Sequence, residues 1–262
     1  MATRNRKGVY RPDGSSEHIM TCVPAVPDSQ ERQPFTDWNV IKQAGVARAN
    51  VAPTEYSPEG SVNKDPRGAQ CTKETVLQQH VEFFDLNDDG VITPYETYIS
   101  FRLLSWNILT ALMAMVFIHF GFSYITLPPG QWIPDPFFRI WMSRVHRGKH
   151  GGDTGTYDAE GRFIPQHFAD LFAKYGMQMD DGQWGISFPN VLYAIRCQRC
   201  VADPFGWSAA VMEWIATYYT IWPEDGIMRM EDVRAIYDGS YFYNVAGDRR
   251  KQYVPKPKPQ SN

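Results

Sequence analysis

The chain has 262 residues, 43% of them hydrophobic, and carries 26 Lys and Arg against 29 Asp and Glu, a formal net charge of -3. That length suits one large domain or two small ones, and the mildly acidic balance excludes nucleic acid as a general partner. The basic opening MATRNRKG leads into no apolar run, so a secretory signal is not expected.

Residues 1–70 are rich in Pro, Ser, Arg, Asp and Asn and lack helical periodicity. They are predicted to form an extended or disordered arm, with local packing through Phe35, Trp38 and Val40. Of the four cysteines, Cys22, Cys71, Cys197 and Cys200, only the last two are close. Their CxxC has no second CxxC or HxxxH to complete a zinc site and sits in a helical pattern, so reduced structural thiols on a chain facing the cytosol are expected.

Residues 71–102 contain HVEFFDLNDDGVITPYE, running from His80 to Glu96. Read from Asp85, it puts Asp85, Asn87 and Asp89 at loop positions one, three and five, Gly90 at six, Val91 at seven, Thr93 at nine and Glu96 at twelve. Calcium is a hard cation that takes six to eight oxygens. This spacing offers three short side chains, the Val91 carbonyl and a bidentate Glu96, with Gly90 free to make the sharp turn. On a helix, His80, Phe83 and Phe84 share a face, which places an imidazole where a calcium module normally buries hydrophobes. A core histidine bonded to a carbonyl is the plainer reading of His80.

Between Leu103 and Pro134 there is no Asp, Glu, Lys or Arg, and the helix leaving the calcium loop is predicted to continue into this run. A membrane span takes about 20 apolar residues. Leu103 to Leu127 is long enough, yet Ser105, Asn107, Thr110, His119, Ser123 and Thr126 dilute it. Pro128, Pro129, Pro134 and Pro136 then end any helix. In the following FFRIWMSRVHRGKH, Phe137, Phe138, Trp141 and Val145 would form one helical face beside Arg139, Arg147 and Lys149, a basic aromatic surface suited to a headgroup boundary. The expected geometry is a hairpin dipping into one leaflet, with a buried core helix as the alternative.

Farther on, the segments starting at Gly161, Gly185 and Gly226 repeat the calcium loop's punctuation, a glycine followed closely by a hydrophobe and a helix start, without its ligands. They are expected to be ion-free relatives of the calcium module, one of them bracing the Asp85 loop. In HRGKHGGDTGTYDAEGRF, spacing alone does not choose between His146 and His150, nor between a histidine site and a glycine-rich anion turn.

The ordered series QQHVEFFDLNDDGVITPYET, a long uncharged segment, a proline knot, HRGKHGGDTGTYDAEGRF, DPFGW and IYDGS strongly resembles the caleosin family, also called peroxygenases, from about residue 75 to 245. Asp135 stands where plant members commonly have serine, which fits a fungal-type branch. The resemblance implies a mainly α fold, in which EF-hand-like modules, one intact and others degenerate, surround a haem site beside a membrane-associated hairpin. It divides the chain into an arm (1–70), a calcium module (71–102), a membrane-associated segment (103–136), a helical haem and EF-like region (137–245) and a disordered tail (246–262).

The resemblance also implies haem b and calcium as cofactors. The reaction would carry oxygen from a fatty acid hydroperoxide to unsaturated fatty acids or sulfides, at the cytosolic face of a lipid droplet or the endoplasmic reticulum, with homo-oligomerisation left open. The family's two haem histidines correspond to His80 and His150, not His146; His80, anchored by the calcium loop, would be proximal and His150 distal. Calcium would be held by Asp85, Asn87, Asp89, Val91 and Glu96. Two other classes stay open: a non-catalytic calcium-dependent droplet coat or tether, and a calcium sensor with a protein partner.

Overall fold

Capping chemistry starts each of the first helices. In this computed structural model, residues 74–253 are described in full, together with the backbone of a hairpin in which β1 (Gly8–Tyr10) runs antiparallel to β2 (Ser16–His18). The expectations for the rest of the arm, for Cys22 and Cys71, and for residues 254–262 lie outside the described residues. Thr75 opens α1 (Val76–Glu82) with a reciprocal capping box, its hydroxyl accepting from the Gln78 amide while the Gln78 side chain accepts from its own. Thr93 and Glu96 repeat the device at the start of α2 (Pro94–Leu103), with Pro94 in the first turn where no amide is needed. Asn107 caps α3 (Ile108–Phe122) by accepting from the Thr110 amide at 2.9 Å.

The helix that leaves the calcium loop does stop, contrary to expectation. Leu104 caps α2, Ser105 takes a left-handed φ of 69°, and α3 begins anew at Ile108 and packs back on α2. A 15-residue helix is about 22 Å long at about 1.5 Å per residue. Among the described residues, no helix is long and apolar enough to cross a membrane.

After the prolines the backbone is extended rather than helical. Phe138 has φ 51°, β4 (Ile140–Trp141) pairs antiparallel with β3 (Val91–Ile92), and a 3-10 turn follows over Met142–Gly148. The expected single apolar face is therefore split: Phe137 is 68% exposed while Val145 is buried. The brace of the Asp85 loop is thus β4, not one of the glycine-punctuated segments. Two of those pair with each other: β5 (Met177–Gln178), β6 (Trp184–Ser187) and β7 (Ile227–Arg229) form one antiparallel sheet in which Ile186 faces Met228 and both are fully buried. The third closes on itself through a bridge from Tyr157 to Phe163.

Four helices complete this half: α4 (Pro165–Tyr175), α5 (Phe188–Gln198), α6 (Pro204–Ile221) and α7 (Met230–Tyr237). Then come α8 (Ser240–Ala246) and a 3-10 turn over Gly247–Gln252, so residues 246–253 of the expected tail belong to the folded body. Two hydrophobic clusters result. One gathers Phe163, Phe172, Ile186, Met228 and Val233; the other gathers Phe83, Phe84, Ile92, Phe101, Trp106 and Phe242. Helix α7 serves both, since Val233 faces the first and Ile236 the second.

Candidate functional site

The Asp85 loop is wound as its sequence requires, with left-handed φ at Asp88 (56°) and Gly90 (79°). Asp85 and Glu96 are buried, and their oxygens are turned onto loop amides: Asp85 accepts from Asp89 and Gly90, Glu96 from Leu86 and Thr93. Asn87 donates to Asp89 at 3.1 Å. Burial raises the Asp85 pKa above the usual carboxylate value, and the nearby charges of Asp89 and Glu96 push it the same way. Among the described residues, no three His, Cys, Asp or Glu side chains converge to hold a metal ion. The donor set is oxygen-only and crowded with like charge, which is the chemistry that a divalent hard cation relieves.

Arg250, a residue that sequence reasoning did not mark, closes the entry to this loop. Its guanidinium donates to the carbonyls of Glu82, Phe83 and Asp85, the last at 2.9 Å, and lies over the rings of Phe83 and Tyr243. It thereby satisfies carbonyls that the end of α1 leaves without intrahelical partners.

His80 projects from α1 onto the α7–α8 corner. Its Nδ1 is 2.7 Å from the Ile236 carbonyl, and its ring meets Phe242 edge-on at 5.2 Å. A carbonyl only accepts, so the proton sits on Nδ1 and the lone pair on Nε2. That hydrogen bond serves a structural histidine, and it is also the one that orients a metal-ligating imidazole. Gly239 makes the close approach possible: a Cβ there would lie 2.7 Å from the Gln79 carbonyl.

His150 follows the 3-10 turn that packs against α1. Its side chain is 4% exposed, Nε2 lies 3.7 Å from Glu213 on α6, and the buried Nδ1 has no partner among the described residues. At that distance the contact is an ion pair rather than a hydrogen bond. Glu213 raises the imidazole pKa against the opposing effect of burial. A neighbouring polar chain joins this turn to the His80 corner. Thr154 bonds the Tyr237 hydroxyl at 2.9 Å and Thr156 at 2.8 Å, and the Tyr157 hydroxyl donates to the Tyr237 carbonyl. Burial pushes the Tyr237 pKa up to about 12. The structure thus places His80 and His150 on neighbouring elements tied through residues 236–237. His146 lies inside the 3-10 turn and has no such tie among the described residues.

His119, read from sequence as a polar dilution of the apolar run, is a buried staple. Its Nδ1 donates to the Phe138 carbonyl at 2.5 Å and its Nε2 accepts from the Thr97 hydroxyl at 2.7 Å, so α3 is tied to α2 beside Glu96 and to the chain beyond the prolines. Burial lowers its pKa. A buried Asp135 accepts from the amide, Nε and Nη2 of Arg139, whose guanidinium also lies over Phe137 and Trp141. The opposite face of α3 is bare: Leu109, Val116, Phe117 and Phe120 are all more than half exposed, as are Trp132 and Ile133 among the prolines. Contiguous apolar exposure on that scale marks an interaction surface. Cys197 and Cys200 are free thiols, and Cys200 Sγ donates to the Gly151 carbonyl at 2.8 Å.

A family model described as caleosin related protein matches residues 72–246. Among curated proteins, the chain is 34% identical to a peroxygenase of Lilium longiflorum over 89% of its own length and 94% of that protein's. It is 33% identical to a probable peroxygenase 4 of Arabidopsis thaliana, over 70% and 92% of the two lengths. A probable inactive peroxygenase-like protein of Arabidopsis thaliana is 26% identical over 59% and 75%. No solved structure matches the chain.

Proposed function

The chain belongs to the caleosin family and is a peroxygenase, and from that premise we propose a haem-dependent, calcium-requiring enzyme that moves one oxygen atom from a fatty acid hydroperoxide to an unsaturated fatty acid or a sulfide. The balance is closed: the hydroperoxide becomes an alcohol, the acceptor gains the oxygen, and no external reductant is consumed. The observation that carries the proposal is His150, buried, with an unpartnered Nδ1 and a carboxylate beside its other nitrogen.

Haem, when bound, supplies cleavage of the peroxide O–O bond and delivery of the oxygen. The residues fit it in complementary ways. His80, with its proton held on Nδ1 by the Ile236 carbonyl, is the residue that would hold the haem iron, through Nε2. His150, whose imidazolium form Glu213 favours, would hold a proton at Nδ1 for the departing oxygen and recover one from the medium. The Tyr237–Thr154 tie holds the two histidine segments in register.

Calcium would be held by Asp85, Asn87, Asp89, Glu96 and the Val91 carbonyl in an EF-hand-like module. By relieving carboxylate repulsion it would stiffen the end of α1 that bears His80. The bare face of α3 and the proline tip would lie in one leaflet of a lipid droplet or of the endoplasmic reticulum, at the cytosolic side, where apolar substrate is concentrated. Apolar anchoring explains exposed Leu, Phe and Trp side chains that a water-facing helix would not carry.

The test is the absorption spectrum and turnover of purified full-length variants. His80→Ala should lose the Soret band and activity together. His150→Ala should keep the band and lose about a hundredfold or more in turnover, as removal of a general acid does. His146→Ala should be mild. A His80→Ala protein with a full Soret band and full turnover would sink the assignment.

A further inference from the structure

Between α5 and α6 lies a cavity of about 450 Å³ lined by Leu192, Ile195, Arg196, Arg199, Trp207 and Val211. That volume is within the range of small-molecule sites, about 300–1,000 Å³. Its walls are apolar apart from two guanidinium groups three residues apart, a spacing that brings side chains together at a helix end. Neither arginine is paired with a carboxylate among the described residues, and the Arg199 guanidinium lies over the Trp207 ring, 5.4 Å from its centroid. A guanidinium held by a ring contact keeps its N–H donors for an anion, and their fork suits a planar carboxylate.

The cavity shares its wall with the His150 turn. Trp207 Nε1 donates to the Cys200 carbonyl at 2.7 Å, Cys200 Sγ donates to the Gly151 carbonyl, and a Cβ on Gly152 would stand 3.4 Å from Arg199 Cα. Phe205, at the start of α6, packs its ring 6.4 Å from that of Phe122 at the end of α3, so the helix that supplies Trp207 and Val211 also touches α3.

We propose that this groove is a binding site for the carboxylate end of a long-chain fatty acid, with Arg196 and Arg199 taking the carboxylate and Leu192, Ile195, Trp207 and Val211 covering the adjoining methylenes. The proposal deepens the peroxygenase reading and rests on it for the choice of an acyl chain. Two guanidinium groups without a carboxylate partner among the described residues, set beside apolar walls, complement an amphipathic anion. The shared wall sets such a molecule next to the His150 turn.

The test is equilibrium binding of oleate to the full-length protein in non-ionic detergent, by displacement of a fluorescent fatty acid, with oleyl alcohol and oleyl phosphate in parallel. The variants are Arg196→Gln with Arg199→Gln, and separately Val211→Trp, which fills the slot without touching charge. Oleate affinity should fall about tenfold or more in each, the size expected when charged hydrogen bonds are lost. Oleyl alcohol, bound weakly by α3, should not change in the arginine variant. Unchanged oleate binding in both variants would overturn the proposal, and so would a strong preference for oleyl phosphate, which would make the groove a phospholipid headgroup site. His150→Ala should bind oleate as the wild type does, so failure of the oxygen-transfer reading and failure of the groove are read separately. A loss in His150→Ala equal to that of the arginine variant would move the acid to the histidine turn and overturn the groove.

Discussion

The loop from Asp85 to Glu96 and the loops that turn at Gly182 and Gly226 share a plan: a left-handed glycine, a buried hydrophobe in a short antiparallel strand, and a helix that starts at once. They differ in what the loop does with charge. Asp85 is buried beside Asp89 and Glu96 and its pKa is raised. Asp225, in the corresponding turn, is held below the usual carboxylate range first by the Ile227 amide and then by Arg229, which bonds it at 2.7 Å. The second pair has its cation built in and closes over Ile186 and Met228, whereas the first gathers anions and leaves their neutralisation to something from outside. A strand pairing kept without clustered carboxylates is a structural unit, and the same pairing beside them is the one we propose as a calcium site.

The sharpest way to break this contrast is to empty the core of the second pair. Ile186→Ala should lower stability by about 2–5 kcal/mol, because a fully buried residue leaves a cavity that its neighbours only partly fill. The fall in melting temperature should be the same in calcium and in chelator; a loss seen only with calcium bound would mean the two pairs are one unit.

Glu96→Gln tests the first pair. It removes an anionic bidentate ligand at nearly constant size, and calcium affinity should drop on the order of a hundredfold, with haem retention and turnover following the same titration. Asp225→Asn should leave the calcium curve where it is. Coincident curves for wild type and Glu96→Gln would show that the loop binds no calcium.

His119→Gln gives the smallest effect and sharpens the comparison through pH. Losing one of two buried hydrogen bonds should cost about 1 kcal/mol. The folded pKa of His119 is depressed below its ordinary 6.5, so below that value the unfolded chain binds the extra proton first. Stability therefore declines as pH falls from 6.5 toward the depressed folded value, and His119 contributes no slope above 6.5. His150 has the opposite sign: its raised pKa gives a contribution fully present below 6.5 and lost as pH rises through the folded value. Melting curves from pH 7 to 5 should fall more steeply for the wild type than for His119→Gln; equal slopes would show that His119 titrates as if exposed.

Much of the site was legible because its signals are local. The winding of the loop around Asp85, the turn at Gly90, the helix start at Pro94 and the stop imposed by the prolines each depend on residues within a few positions of one another. The apolar run was legible as surface-seeking but not as two helices, since a left-handed Ser105 leaves no mark that a helical pattern would miss. His119 was misread for a related reason: one histidine among Leu, Met and Phe has the same composition whether it faces lipid or a Thr97 hydroxyl brought from another helix. Arg250 and Glu213 gave no signal, since a lone Arg near a terminus and a lone Glu in an apolar helix are ordinary in sequence.

The sequence by itself determined the turn at Gly90, the clustering of acidic residues around Asp85 and the helical class, because residue spacing and periodicity are properties of short windows, whereas His80 and His150 were singled out by the family resemblance. Only the tertiary structure decided that β4 rather than a later repeat braces the calcium loop, that Ile236 orients His80, and that Glu213 reaches His150. Each of these is a contact between residues far apart in the chain. Such contacts are fixed by which hydrophobic faces pack together, with α7 placing Val233 in one cluster and Ile236 in the other, and no spacing along the chain encodes that choice.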